Sequence, residues 1–232
     1  MNSHVSLYKR IIGGQNCNDT ERLYHVRLEG DNGTHTTLCG GSLIHPEWIL
    51  TAAHCWKSEP GWTTTATLGV HPRTATQQKQ IIQHNPVIYV DQWHQQHDIM
   101  LLKLQRPVRN IRPALLPTCN NRLTFGITLH LQCVDMKVTG FFYSIKSGHE
   151  FLAEAQNKDA NFVSLFLQYF PTNKGKLSGD SGGGVVFNKK IVGVISSRGK
   201  NYAFRNPVFS MDVCDYLEWI RNTTGLNKPR IS

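Results

Sequence analysis

The stretch Gly179-Asp180-Ser181-Gly182-Gly183 decides how the rest of the chain is read. Glycines on both sides let the backbone take positive φ and leave room for another molecule to come close. The backbone N–H groups of Gly179 and Ser181 can then converge on one point, where a carbonyl oxygen gathers negative charge during acyl transfer. Alone, the stretch reads equally well as a glycine-rich turn that contains a serine. A serine hydroxyl is a weak nucleophile near neutral pH, so the chemical reading needs a base and a partner to orient it. Thr51-Ala52-Ala53-His54-Cys55 offers an imidazole, and Asp98-Ile99-Met100-Leu101-Leu102 offers a carboxylate ahead of an apolar run.

The order His54, Asp98, Ser181 is one of the chain orders known for this chemistry. With Ile11-Ile12-Gly13-Gly14 ahead of them, these motifs span most of the chain, which resembles the trypsin-like (chymotrypsin-fold) serine proteases. The resemblance implies an all-β fold of two six-stranded antiparallel Greek-key β-barrels with a C-terminal α-helix. The first barrel would span about 11–105, the second about 118–210 and the helix about 212–222. It also implies the roles: His54 as base, Asp98 as its orienter, Ser181 as nucleophile, and Gly179 with Ser181 as oxyanion hole. Lys9-Arg10 before Ile11 looks like a zymogen activation site, making 1–10 an activation peptide-like segment. In the family, cleavage there frees an α-amino group that pairs with the aspartate before the nucleophile, here Asp180.

Composition agrees with a folded, exported enzyme. The chain has 232 residues, 40% of them hydrophobic, and no run approaching the roughly 18 apolar residues of a membrane helix. Six cysteines fit an oxidising compartment and admit 15 pairings, among which the sequence does not choose. The resemblance suggests Cys39–Cys55, Cys17–Cys133 and Cys119–Cys214, leaving none for a metal. The formal charge is +9, which favours solubility and weak attraction to polyanions. Arg106, Arg109 and Arg112, spaced by prolines and apolar residues, read as solvated charges on a crossover between barrels rather than a polyanion site. Nothing resembles a nucleic-acid module. Residues 1–10 lack the apolar core of a signal peptide, pointing to a processed or truncated form of a secreted protein. Sequons at Asn18, Asn32 and Asn222 fit secretion.

Along the chain, short strands and turns recur: Leu23–Leu28, a hairpin signal at Asn32-Gly33, Gly41–Ile44, Trp48–Leu50, Thr65–Leu68, Gln80–Gln83 and Ile99–Leu104. In the second half, Leu123–Val138 and Asn161–Phe170 read as strand-bearing. Val185–Phe187 and Ile191–Ile195 flank an Asn188-Lys189-Lys190 turn. After Val208-Phe209-Ser210 the period changes: Val213, Tyr216, Leu217 and Ile220 recur at helical spacing, with Asp212 placed to cap. His94 and His97 read as surface-loop residues beside a triad that is already complete. From Val70 to Gln83 there is no carboxylate, so the loop that binds calcium in many trypsins should hold none here; no metal or cofactor is expected.

The specificity pocket departs from trypsin. Trypsin's aspartate six residues before the nucleophile is Gly175, followed by Lys176, which removes the main electrostatic support for Lys or Arg substrates. The family's Ser-Trp-Gly reads Ser196-Ser197-Arg198, and a glycine expected before Val208 is Pro207. Arg198 would obstruct the pocket, favour an acidic substrate residue, or point to solvent. Two functions of different class follow. One is a secreted, monomeric serine endopeptidase acting on proteins or peptides and open to protease inhibitors; the other is a weak or inactive protease-like binding protein with an obstructed pocket.

Overall fold

Strand-forming residues in short alternating runs, each ended by a turn, build two antiparallel sheets in the computed structural model, which describes residues 11–12, 18–72, 74–131, 134–144, 148–155, 161–162, 181–196 and 208–226. The first half contributes β2 (His25–Asp31), β3 (Thr36–His45), β4 (Trp48–Thr51), β5 (Thr63–Leu68), β6 (Gln78–Ile81), β7 (Val87–Val90) and β8 (Gln96–Lys103). They form one sheet of seven strands in the order β6-β5-β2-β3-β4-β8-β7. The second half contributes β9 (Thr128–Leu131), β10 (Val134–Ser144), β11 (Gly148–Ala155), β13 (Gly184–Phe187), β14 (Lys190–Ile195) and β15 (Val208–Asp212). These close into a barrel in the order β10-β11-β15-β14-β13-β9. Backbone pairing between β1 (Ile11–Ile12) and β12 (Asn161–Phe162) forms a separate two-stranded ladder. The expected all-β fold with a C-terminal helix is therefore what forms, with seven strands where the first barrel was expected to have six.

Besides the two-residue β1, two strands had no counterpart in the pattern reading, β7 and β11. Residues 149–155 of β11, HEFLAEA, have the composition of a helix, and pairing on both sides with β10 and β15 overrides it. Asn188 and Lys189 take φ of 48° and 62°, the left-handed conformation that closes a tight β13–β14 hairpin. The helix α1 (Val213–Thr224) begins where its stripe begins, and the Asp212 carboxylate accepts from Cys214 N–H at 3.0 Å as its N-cap. Gly225 ends it in the left-handed conformation, φ 75°.

The 106–117 crossover is pinned rather than loose. Val108 N–H donates to Pro46 O and Ala114 N–H to Leu43 O, and both side chains are buried. Arg106, Arg109 and Arg112 stand exposed between these anchors, as solvated charges should. One core cluster runs across both halves, joining Val26, Leu43, Ile49 and Leu102 to Ile191, Met211 and Tyr216. A second, including Leu129, Val138, Phe151 and Val192, belongs to the second half alone.

Candidate active site

His54 lies in a short 3-10 turn, Ala53–Cys55, which follows directly on β4. The Cys39–Cys55 disulfide holds that turn against β3. The next residue of β3 is Gly40, whose N–H donates to Ser181 O at 2.7 Å. One covalent bridge and one hydrogen bond thus connect the segment bearing His54 to the segment bearing Ser181. Gly40 O in turn accepts from Thr51 Oγ1 at 2.7 Å. Gly182 fits into this junction with φ 80°; a Cβ there would run into Thr51 Oγ1 and Gly40 O, so both the conformation and the space require glycine.

Asp98, on β8, meets His54 twice. Its Oδ1 accepts from the His54 backbone N–H at 2.9 Å, and its Oδ2 lies 2.8 Å from His54 Nδ1. With Nδ1–H donating to the carboxylate, Nε2 carries the lone pair and can take a proton. Ser196, at the end of β14, donates from its hydroxyl to Asp98 Oδ2 at 2.5 Å. Burial by itself would raise the Asp98 carboxyl, but the hydrogen bonds and charge of His54 with the Ser196 hydroxyl outweigh it. They hold Asp98 below its ordinary value, ionised at neutral pH. Ser181 is itself buried, at 1% exposed, while the His54 side chain is 40% exposed and open to a substrate.

Among the predicted site residues, His54, Asp98 and Ser196 are thus joined by direct contacts, and Ser181 is held through its backbone carbonyl to Gly40 beside the Cys39–Cys55 bridge. Ser196, expected at the specificity pocket, places its hydroxyl on the Asp98 carboxylate. His97 corrects the surface-loop expectation. It is 3% exposed, with Nε2 3.3 Å from Asp91 Oδ2 and Nδ1 2.9 Å from the Tyr216 hydroxyl, whereas His94 is exposed in the turn. Burial lowers the His97 pKa in spite of Asp91, so the ring is neutral and structural. The signal for this was hidden, because Tyr216 lies 119 residues further on.

Cys119–Cys214 also forms, tying the start of the second half to α1. Gly179, Asp180, Gly175, Lys176, Ser197, Arg198, Pro207, Arg10, Cys17 and Cys133 lie outside the described residues, as does the Ile11 side chain. Cys39, Cys55 and His54 bring three potential metal-donor atoms within 4.8 Å of one another, but both sulfurs are spent in the disulfide.

A family model described as Trypsin matches residues 11–220. The chain belongs to the trypsin family. It is a serine endopeptidase, a hydrolase of peptide bonds in protein substrates. Cathepsin G of Homo sapiens is 34% identical over 236 residues, covering 92% of this chain and 87% of that protein. Serine protease 1 of Homo sapiens is 30% identical over 240 residues, covering 94% and 91%. Among solved structures, that of GrC aligns with a TM-score of 0.69 at 25% identity, covering 93% of this chain and 100% of the other. Among the described residues of this trypsin-family chain, no helix is long and apolar enough to cross a membrane.

Proposed function

We propose that this trypsin-family enzyme hydrolyses peptide bonds through His54, Asp98 and Ser181, with an acyl-enzyme intermediate. The observation that carries the proposal is the double hold of Asp98 on His54, by backbone N–H and ring Nδ1, which leaves Nε2 to take a proton. Nε2 takes the Ser181 proton as Oγ attacks the substrate carbonyl, and the imidazolium returns it to the leaving amine. Asp98 stays ionised and stabilises the imidazolium. The N–H groups of Gly179 and Ser181 receive the oxyanion. Water, deprotonated by His54 in turn, then releases the acyl group and restores Ser181.

The enzyme is made as a zymogen. Cleavage after Arg10 frees the Ile11 amine to pair with Asp180 and set the oxyanion hole. It is secreted, acts as a monomer, and is open to protease inhibitors. Gly175, followed by Lys176, gives no carboxylate for a basic substrate side chain, so trypsin's Lys/Arg preference is lost. Ser197, Arg198 and Pro207 reshape the rest of that pocket.

Labelling by a fluorophosphonate probe, before and after cleavage at Arg10–Ile11, tests both steps, because the probe needs the activated serine but little of the pocket. Labelling should appear only after cleavage and vanish in Ser181→Ala. A folded, cleaved protein that does not label would overturn the enzymatic reading in favour of a binding protein with an obstructed pocket.

A further inference from the structure

Two of the three sequons lie on turns in which one side-chain oxygen gathers the hydrogen bonds. At the tip of the β2–β3 hairpin, Asn32 Oδ1 accepts from the Thr34 N–H at 3.0 Å and the Thr34 hydroxyl at 3.0 Å. It also accepts from the His35 N–H at 2.8 Å. Between Asn18 and Thr20 the same turn recurs, with Asn18 Oδ1 accepting from the Thr20 N–H at 3.0 Å and the Thr20 hydroxyl at 2.9 Å. Such an Asx turn is a natural use of asparagine, which bonds to the backbone two residues on. Here it has a further effect. The hydroxyl of the third residue stands against the amide of the first, and the amide nitrogen Nδ2 takes part in none of these bonds.

The third sequon is built otherwise. Asn222 and Thr224 lie in the last turn of α1, where residues two apart do not face each other. The Thr224 hydroxyl is buried and donates to Ile220 O at 2.7 Å. The structure therefore brings amide and hydroxyl together at Asn18 and Asn32 but not at Asn222.

Both turns also have room for a large polar substituent. Asn18, Asp19 and Thr20 are all exposed; Asn32 is half-buried, with Gly33 and Thr34 exposed beside it. A Cβ placed on Gly33 would meet nothing within 4 Å. Contacts spanning two or three residues need no assembled sheet, so these turns can form in a chain that is still entering an oxidising compartment and persist once it has folded. We propose that Asn18 and Asn32 each carry an N-linked glycan on Nδ2, a bulky surface modification for which the Asn-x-Thr pattern is the acceptor. The proposal rests on the reading of this chain as an exported enzyme. The donor is an oligosaccharide carried on a lipid diphosphate. Nδ2 bonds to its anomeric carbon, the bond from that carbon to the phosphate oxygen breaks, and the electron pair leaves with the lipid diphosphate. The proton lost from Nδ2 passes to a base of the transferase. Gly40, which bonds to Ser181, lies about 14 Å along β3 from Thr36 at about 3.4 Å per residue, so the Asn32 glycan stands off the triad.

The test uses the full chain with Ser181→Ala behind a cleavable secretory leader, expressed in cultured animal cells. Only chain from which the leader has been removed is analysed, so entry into the lumen is assured whatever the natural route. Peptide-N-glycosidase F in heavy-oxygen water converts a glycosylated asparagine to a labelled aspartate, whereas earlier spontaneous deamidation at Asn32-Gly33 leaves no label. Peptide mass spectrometry should find the label at both Asn18 and Asn32. Asn18→Gln and Asn32→Gln should each remove one step of gel mobility. Thr34→Ala, which keeps the amide and removes the hydroxyl, should lose the Asn32 label, and Thr34→Ser should keep it. Asn32→Gln in the otherwise wild-type, activated enzyme should leave fluorophosphonate labelling unchanged. An unlabelled Asn18 or Asn32 in leader-free chain would overturn the proposal, as would a label at Asn32 that survives Thr34→Ala. The reading of an exported enzyme would fall on a different result, leader-free chain in which Cys39–Cys55 and Cys119–Cys214 do not form.

Discussion

Asp98 takes up the His54 ring, the His54 backbone and the Ser196 hydroxyl, and each donor has a different consequence. The two from His54 fix the position and tautomer of the imidazole. Ser196 acts through Asp98 alone, as a positioning residue, and its donor also helps keep the carboxyl ionised. A hydrogen bond to a charged group is worth about 1.5–3 kcal/mol, so Ser196→Ala should lower kcat by about 10–100-fold with little change in KM. The pH dependence of stability separates this role from simple packing. A carboxyl held below its ordinary value of 3.8 in the fold contributes stability above that value. It loses that stability as pH falls through the folded value. Ser196→Ala raises the folded value toward 3.8, so the fall in melting temperature on acidification below about pH 4 should shrink. An undiminished acid limb together with an unchanged kcat would remove Ser196 from the site. The sequence carried His54 and Asp98 plainly, because each stands in a run whose neighbours fix its place. The contact of Ser196 with Asp98 was not legible, since only the folded chain brings its hydroxyl to the carboxylate.

At the scale of elements, α1 does more than end the chain. Its Tyr216 is 1% exposed and sits between β8 and the β10–β11 hairpin. The helix itself was legible from spacing and its cap from Asp212, because both signals are local. The burial of His97 was not legible, because Gln95, Gln96 and His97 form a polar run and the covering side chain comes from the other end of the chain. β11 was hidden for the related reason that non-local pairing outweighs helical composition. The neutral His97 gives Nε2–H to Asp91, so its Nδ1 accepts from the Tyr216 hydroxyl, which in turn accepts from His149 N–H. Tyr216→Phe would strand a buried acceptor, His97 Nδ1, and a partly buried donor, the His149 N–H. It should cost about 2 kcal/mol, measured by urea denaturation of the Ser181→Ala protein. The packing of the ring against Tyr89, edge-on at 4.9 Å, should survive the change. A loss below about 0.5 kcal/mol would mean that the buried polar groups find other partners.

Over the whole molecule, the two sheets are not independent bodies, because they share a core. The larger core cluster takes Val26, Leu43, Ile49 and Leu102 from the first half and Ile191, Val194, Met211 and Ile220 from the second. Gly40 and Ser181 are hydrogen-bonded across the same boundary, so the geometry of the site depends on that core staying closed. Unfolding either half would expose the apolar surface that the other buries, which couples them into one cooperative unit. Tryptophan provides a lopsided reporter of this: Trp48, Trp56, Trp62 and Trp93 lie in the first half and Trp219 in the helix. Far-UV circular dichroism sees the strands of both halves. With disulfides intact, urea unfolding of the Ser181→Ala protein should therefore give coincident midpoints by the two probes. Met211→Ala tests the coupling directly, because Met211 is fully buried in β15 of the second half yet packs in the shared core. It should lower both midpoints together, by about 2–5 kcal/mol of stability. A circular dichroism midpoint that falls while the tryptophan midpoint stays in place would show that the halves unfold separately. The site would then be held by the Gly40–Ser181 contact rather than by the common core.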